Sequence, residues 1–387
     1  MTKLRITHVL SRFDVGGLEN GIVNLCNGHD RERFEPSILC VKGIGLMAQR
    51  LKKDVPIYCL NAPEGKDFFR FLRLKNYFNQ NKPDIVHTHG WGATCMDGII
   101  GARLAGIRAV INGEHGTFSD KPYQIYIQRF LSTLCDTTLS VSGAHRHKVI
   151  EVLGINPKRI QVIHNGVDTD KFCGAHNTSS LRQELNNKFG AHVSGDTFFV
   201  GCVGSLKPVK NQQLLINAAL HLKQSHNTRP VAFLLAGNGP DTQMLKELTK
   251  KLNVADIVFF LGERPDIPEF LSLIDLLVLP SKTGKEGLPN VILEAMSSGK
   301  PVISTQSVGA AEVMAEGING RFLSGEDPVE LSLILQSFIN NPTRAQSMGA
   351  AARQHIINNF SISKMVSNYE DLYFKLSAIS PQPSAKN

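Results

Sequence analysis

Residues 279–305 read LPSKTGKEGLPNVILEAMSSGKPVIST. An apolar run ends at Pro280, a loop carries Glu286, Pro289 suits the first turn of a helix, and Glu294 sits further along it. Gly299 stops the helix before a second apolar run begins at Pro301. Strand, helix, strand is the repeating unit of a parallel sheet. The helix would point its first N–H groups at a ligand, where a phosphate or sugar is welcome. Two carboxylates eight positions apart, Glu286 before the helix and Glu294 inside it, could grip hydroxyls at opposite ends of one elongated ligand. The plainer alternative makes Glu286 a partner of the helix dipole and Glu294 an exposed helical residue.

The same alternation runs outward in both directions. Short β-branched runs separated by helix-like stretches predict strands at Leu4–Leu10, Pro36–Val41, Ile57–Leu60, Ile85–Thr88, Ala109–Asn112, Thr138–Val141 and Ile160–His164. A second set follows at Thr197–Val203, Val231–Ala236, Ile257–Leu261, Leu276–Leu279, Pro301–Ser304 and Arg321–Leu323. The expectation is an α/β protein with two doubly wound parallel sheets, one per half. Cys173–Ser194 between them is polar, with a short helix around Leu181–Phe189 and no strand, so the boundary is expected there, with domains 1–180 and 181–360. Ligands of open parallel sheets bind outside the carboxyl ends of the strands, so two such domains facing each other would hold a ligand in the cleft between them.

Composition sets bounds on function. A chain of 387 residues, 42% hydrophobic and 20% charged, has room for about two to three domains and reads as folded rather than disordered. The net charge of +8 is uneven: residues 1–180 hold 23 Lys/Arg against 16 Asp/Glu, and residues 181–387 hold 19 against 18. A basic first half suits an anionic partner such as a phospholipid surface or a lipid diphosphate, or it is plain solvated surface. No run of five Lys/Arg and no recognised module supports nucleic acid as a partner. The seven cysteines (Cys26, Cys40, Cys59, Cys95, Cys135, Cys173, Cys202) include no C-x-x-C pair and read as reduced core thiols. The start, MTKLRITHVLSRFD, lacks a signal peptide's apolar stretch, and the most apolar window, Phe270–Leu279, has ten residues and contains Asp275. A cytoplasmic protein without a membrane span is expected.

Chemistry-bearing residues collect at the predicted strand ends. FDVGGLEN (13–20) puts Gly16 and Gly17 at a strand-to-helix turn that could approach an anion or be merely a tight turn. DIVHTHG (84–90) ends in His87 and His89, and NGEHG (112–116) holds Glu114 and His115. A histidine there could donate to a sugar hydroxyl or phosphate, act as acid or base, or be structural. No metal is expected at His87 and His89, because no Cys/His/Asp set at ligand spacing accompanies them. Asp168 and Asp170 could hold a divalent metal, but read better as a turn and helix start. FFVGCVGSLKPVKN (198–211) carries Lys207 and Lys210 in a loop after Gly204, where ammonium groups could neutralise a diphosphate or be solvated. LLAGNGP (234–240) offers a turn lined by Gly237 where a base or ribose could rest.

With these motifs in hand, the chain resembles the family-four retaining glycosyltransferases of the GT-B fold, of the bacterial surface-polysaccharide type. The resemblance rests on Glu286 and Glu294 in EGLPNVILEAMSSGKPVIST. GGLE, PDIVHTHG, VSG (141–143), IHNGVD (163–168), VGSLKPVKN and LLAGNGP accompany it in the family's order. It spans about residue 4 to about residue 375. The resemblance implies that Glu286 holds the donor sugar's hydroxyls, Glu294 the nucleotide's ribose and Lys210 the donor diphosphate. It implies that His115 lies beside the transferred sugar, that Gly17, with Gly16, closes on the phosphates and acceptor, and that the backbone of Gly287 and Leu288 faces sugar and phosphates. His87 and His89 are placed on the acceptor side, and Gly237, Lys207 and Ser205 on the donor side. The family's arginine after the glycine of VG-R-L is Ser205 here, which leaves Lys210 as the single expected cation unless Lys207 reaches across.

The resemblance further implies a hexosyl transfer from a nucleotide sugar to a glycan or lipid-linked acceptor, with retention and without a cofactor or metal. A helix over residues 361–378 is implied to cross back and complete the first domain. KDFFRFLRLKNYF (Lys66–Phe78) interleaves basic and aromatic residues at helical spacing; it is an ordinary crossover helix or a peripheral membrane contact at the inner face. Two alternatives stay open, a nucleotide-sugar epimerase of the same fold and a weakly active donor-binding relative.

Overall fold

The structure is a computed structural model that describes residues 3–14, 16–63, 67–90, 92–114, 122–190, 195–225, 229–283, 288–306 and 309–379. His115, Glu286, Gly287 and Lys66 lie outside these residues.

In chain order the first unit runs β1 (Leu4–Arg12), α1 (Gly17–Gly28), β2 (Phe34–Gly43), β3 (Ile57–Cys59), α2 (Arg70–Asn81), β4 (Ile85–His89), α3 (Ala93–Leu104), β5 (Ala109–Glu114), α4 (Pro122–Leu134), β6 (Thr137–Ser140), α5 (Gly143–Leu153) and β7 (Ile160–Val162). The second runs α6 (Ser179–Phe189), β8 (Phe198–Val203), α7 (Gln212–Gln224), β9 (Val231–Ala236), α8 (Thr242–Lys251), β10 (Val258–Gly262), α9 (Ile267–Leu273), β11 (Leu276–Leu279), α10 (Asn290–Ser297), β12 (Val302–Thr305), α11 (Ala310–Val313), β13 (Gly320–Leu323), α12 (Pro328–Ile339) and α13 (Pro342–Asn359). The last helix, α14 (Ile362–Ile379), belongs to the first unit. Every strand is where its apolar run predicts one, within three residues at each end.

Both sheets are parallel throughout. The first has the order β3-β2-β1-β4-β5-β6-β7 and the second β10-β9-β8-β11-β12-β13. In each, the order reverses beside the first strand, between β1 and β4 and between β8 and β11, which are the crevices where such sheets take ligands. The central strands are buried on both faces, as their unbroken apolar runs require: β9 and β11 are buried at every residue.

Helix α14 completes the first core. Met365, Val366, Tyr369, Leu372, Tyr373 and Leu376 pack with Ile6, Leu25, Ile85 and Ile111, each large apolar side chain contributing about 1.5–3 kcal/mol on burial. Polar ties set its register. Tyr373 Oη pairs with His87 Nδ1 at 3.0 Å, and Glu370 accepts from the Asp30 N–H at 2.9 Å and pairs with His29 Nδ1 at 3.2 Å.

The two compact units are residues 1–166 with 362–387, and residues 167–361, so the division falls earlier than the expected 180/181. Residues 167–180 are polar in composition, yet Val167 and Phe172 are buried in the second unit's core with Leu181 and Leu185. Val167 donates to the Phe360 carbonyl at 2.8 Å, and the Arg353 guanidinium gathers the carbonyls of Thr169, Phe172 and Ser297. Two apolar anchors and one arginine decide membership where average composition does not. All seven cysteines are free. No helix among the described residues is long and apolar enough to cross a membrane.

Candidate active site

In the second unit, the segments after β8, β9, β10 and β11 are stitched together by backbone hydrogen bonds. Gly204 N–H donates to Ala236 O at 2.9 Å, Leu206 N–H to Asn238 O at 2.9 Å, Gly237 N–H to Gly262 O at 2.7 Å, and Lys282 N–H to Val209 O at 2.9 Å. Gly204 and Gly237 face each other with φ of +148° and +142°, and a β-carbon on Gly237 would collide with the Gly204 carbonyl oxygen. Only glycines allow the two strand ends to meet this closely.

Within this frame, Ser205 and Lys207 are exposed and Lys210 is half-buried, its Cε next to Gly204. Gln212, itself 3% exposed, donates from Nε2 to the Ser205 carbonyl at 3.1 Å and so fixes the loop's start. The Pro208–Lys210 helical turn closes with Lys210 N–H on Lys207 O at 2.8 Å.

Helix α10 begins one residue later than its sequence suggests. Pro289 is the N-cap, not the first helical residue, and no side chain caps the helix. Leu288 packs against the core beneath it. Glu294 is not the exposed helical residue of the plainer reading: burial raises its carboxyl above the usual carboxylate range, with the Lys171 charge pulling it back. Its carboxylate accepts no hydrogen bond from any described residue. A half-buried carboxylate with no donor among the described residues is open to one from a ligand. Asp168 is accounted for without a metal, since Oδ1 accepts from the N–H groups of Asp170 and Lys171 at 3.1 and 2.9 Å and makes the expected turn.

The first unit holds a cleft of about 500 Å³ at the carboxyl ends of β1 and β4, the point of reversal. Arg12, Asp14, Glu19, Lys42, Arg70 and His89 line it, so that its wall carries both signs of charge. Sequence reasoning did not single out Arg12, Lys42 or Arg70, because they stand on three different elements that only the sheet order brings together. The Gly16–Gly17 turn is less open than expected. Gly16 is the extended N-cap of α1, and the Glu19 carboxylate folds back against it, supplying the negative charge that the helix end favours.

The two histidines of DIVHTHG separate in role. His87 is wholly buried and hydrogen-bonded to Tyr373, so it faces α14 and not a ligand. His89, 8% exposed, reaches the cleft wall and pairs through Nε2 with His8 Nδ1 at 2.9 Å. His8 was missed by the sequence reading; it stands beside His87 in the sheet register, and the shared parity of the two strands is the signal that could have found it. The three imidazoles lie close enough to share an ion. Their packing is that of a hydrogen-bonded ring stack, with the His87 and His89 rings 4.0 Å apart and His8 Nδ1 turned to its neighbour. Burial lowers the His8 imidazole to about 3, so it is neutral.

Glu114, 2% exposed at the end of β5, accepts from Asn112 Nδ2 at 2.7 Å and Gln128 Nε2 at 3.1 Å. Burial pushes its carboxyl up to about 7 against the pull of those two donors. The folded protein then binds more protons than the unfolded chain between about pH 4.5 and 7. The stability that Glu114 contributes is therefore expected to fall by about 3 kcal/mol as pH rises through that window and to level off above it, while the buried neutral His8 acts in the opposite sense below about pH 6.5. Urea unfolding of the wild type and of Glu114→Gln at pH 5 and pH 8 checks this: relative to the variant, the wild type should lose stability as pH rises.

The comparisons with known proteins agree with this fold. Residues 15–171 match the family model Glycosyltransferase Family 4, and residues 184–355 match Glycosyl transferases group 1. Together these models take in most of both units, and the chain belongs to the family-four type of glycosyltransferases on the GT-B fold. It is 28% identical to the UDP-Gal:alpha-D-GlcNAc-diphosphoundecaprenol alpha-1,3-galactosyltransferase of Escherichia coli, over 97% of this chain and 98% of that one. It is also 28% identical to a GDP-mannose-dependent alpha-(1-6)-phosphatidylinositol monomannoside mannosyltransferase of Mycolicibacterium smegmatis, over 71% and 73%. In fold it is similar to a glycosyltransferase from Rickettsia africae (TM-score 0.82, 21% identity, 98% and 100% covered) and to Anabaena HepE in complex with UDP (TM-score 0.78, 20% identity, 97% and 100% covered).

Proposed function

We propose that this glycosyltransferase moves a hexose from a nucleotide-diphosphate sugar to a lipid-linked glycan acceptor, with retention of anomeric configuration and without a metal, in surface-polysaccharide assembly. The observation that carries the reading is Glu294, a half-buried carboxylate with no hydrogen-bond donor among the described residues, on a helix at the carboxyl edge of the sheet that also presents Lys210. The Escherichia coli relative supports a UDP-sugar donor and a diphosphate-lipid acceptor.

In this reading Glu294 binds the ribose, Lys210 the diphosphate, Glu286 the sugar hydroxyls, and Gly237, Gly287 and Leu288 line the nucleotide and sugar. His115 stands beside the transferred sugar. The bond from the anomeric carbon to the diphosphate oxygen breaks, the acceptor oxygen bonds that carbon on the same face, and the departing diphosphate takes the acceptor's proton. The protein's work is to position the reactants and stabilise the departing charge, which Lys210 and the uncapped start of α10 supply. On the acceptor side, Arg12 and Lys42 meet phosphate, while Asp14, Glu19 and His89 meet sugar hydroxyls.

The membrane contact proposed for residues 66–78 takes a changed form. Arg70, Leu74 and Phe78 are buried, so that face of α2 is an ordinary crossover face. Phe68, Phe69 and Leu72 remain exposed, as do Tyr123, Tyr126, Ile127 and Phe130, which form one apolar stripe along α4. These two sets, in the basic half, suit the inner face of an anionic bilayer.

The test is to incubate the protein with UDP-galactose, UDP-glucose or GDP-mannose in EDTA, with and without an N-acetylglucosaminyl-diphospholipid acceptor, reading thermal shift and released nucleoside diphosphate. Acceptor-dependent release that survives EDTA and is lost in Glu286→Ala supports the reading. Isomerised nucleotide sugar without acceptor, or stabilisation without any release, overturns it.

A further inference from the structure

We propose that Glu326 is a positioning residue that holds the turn carrying Lys210 against Thr283, in the segment that leads to Glu286; this rests on the reading above. Glu326 stands in the connection from β13 to α12, remote in sequence from both. Its Oε2 accepts from Asn211 Nδ2 at 3.0 Å and its Oε1 accepts from the Thr283 N–H at 3.2 Å. Asn211 directly follows Lys210, and Thr283 precedes Glu286 by three residues. One carboxylate thus bridges the two segments that the reaction needs in register, beside the backbone bond from Lys282 to Val209.

The other acids of that connection serve the connection itself. Asp327 caps α12 by accepting from the Val329 N–H at 2.9 Å, and Glu330 accepts from the N–H and Oγ of Ser324. Glu326 alone among these acids reaches out to other segments. A carboxylate is a poor neighbour for a diphosphate on charge grounds, so its presence here calls for a return in geometry. Asn211 supplies the reason. It holds φ at +51° and is 6% exposed, a left-handed residue between the Pro208–Lys210 turn and α7, and its amide gives the turn an anchor outside the turn. Because Glu326 itself is exposed, its bonds add little to overall stability, and their effect falls on where Lys210 stands.

The experiment measures kcat and KM for the donor in the assay above, UDP affinity by calorimetry, and thermal midpoints. The proteins are wild type, Glu326→Ala, Glu326→Gln, Asn211→Gly and the double variant Glu326→Ala/Asn211→Gly. Glycine is chosen at 211 because it keeps the left-handed backbone. Glu326→Ala is expected to lower kcat/KM about tenfold, the scale of losing hydrogen bonds to a charged group, with the midpoint moved by less than about 2 °C. Glu326→Gln keeps an acceptor for Thr283 and, with the Asn211 amide turned over, a partner for Asn211, so it should recover most of the loss. The double variant should be no worse than the poorer single one, as expected of residues acting as a unit. Activity of Glu326→Ala within twofold of wild type, or losses that multiply in the double variant, overturns the proposal. If wild type neither binds UDP nor releases it, or Lys210→Ala retains full activity, the underlying reading fails instead.

Discussion

Lys210→Ala is expected to lower kcat/KM by about 10²–10³-fold while leaving the thermal midpoint nearly unchanged. The reaction as proposed has no protein nucleophile, so what remains for side chains is to meet the charge that grows on the departing diphosphate. The family's usual arginine is Ser205 in this chain, and Ser205 is exposed with its carbonyl held by Gln212. That leaves Lys210, whose side chain lies across Gly204 at the carboxyl end of β8. Loss of one preorganised cation, with no second arginine to share its load, falls at the upper end of the range. Lys207 is the control: it is exposed, and Lys207→Ala should cost less than about threefold. Equal losses at the two lysines would mean that Lys207 has taken over the arginine's place. Released UDP, read with saturating acceptor and varied donor, separates the outcomes.

Arg70→Met is expected to destabilise the first unit by about 3–5 kcal/mol, the cost of leaving a buried charge without its partner. Arg70 and Asp97 meet at 2.5 Å across α2 and α3, with side chains 5% and 10% exposed. Burial already raises the Asp97 carboxyl, and the guanidinium holds it down. Without Arg70 the carboxyl rises further, so the variant should regain stability as pH falls through its new value, the sign that marks an uncompensated carboxylate. In a unit of this size the loss amounts to a drop of roughly 10 °C in midpoint at neutral pH. Arg70→Met/Asp97→Leu should recover most of it, because an apolar pair of similar volume replaces a buried ion pair at little cost. Calorimetry of both variants at pH 5 and pH 7.5 reads the effect.

What was legible beforehand was whatever local pattern and spacing encode. Strands buried on both faces must be unbroken apolar runs, so β8 through β13 could be read one by one, and the repeat of strand and helix left few architectures open. Glycines with a backbone requirement, such as Gly204 and Gly237, stood in the right loops. The family resemblance then assigned roles to Glu286, Glu294, Lys207, Lys210 and Ser205 in a single order along the chain. Misreadings came where a side chain's meaning depends on a distant neighbour. His87 and His89 look alike in DIVHTHG, yet β-strand parity points both at one face, where Tyr373 from the far end of the chain takes His87 and His8 takes His89. Residues 167–180 look like linker, yet two apolar side chains and Arg353 give them to the second core.

The amino-acid sequence by itself determined the two parallel sheets and the class of enzyme, because hydrophobic period, glycine placement and motif order are properties of neighbouring residues. Only the tertiary structure decided which charges share the cleft of the first unit, where the units divide, and that Glu326 spans Asn211 and Thr283. Those facts follow from strand order and from connections that close far along the chain, and hydrogen bonds and ion pairs form between whatever groups the sheets bring within reach, however distant in sequence.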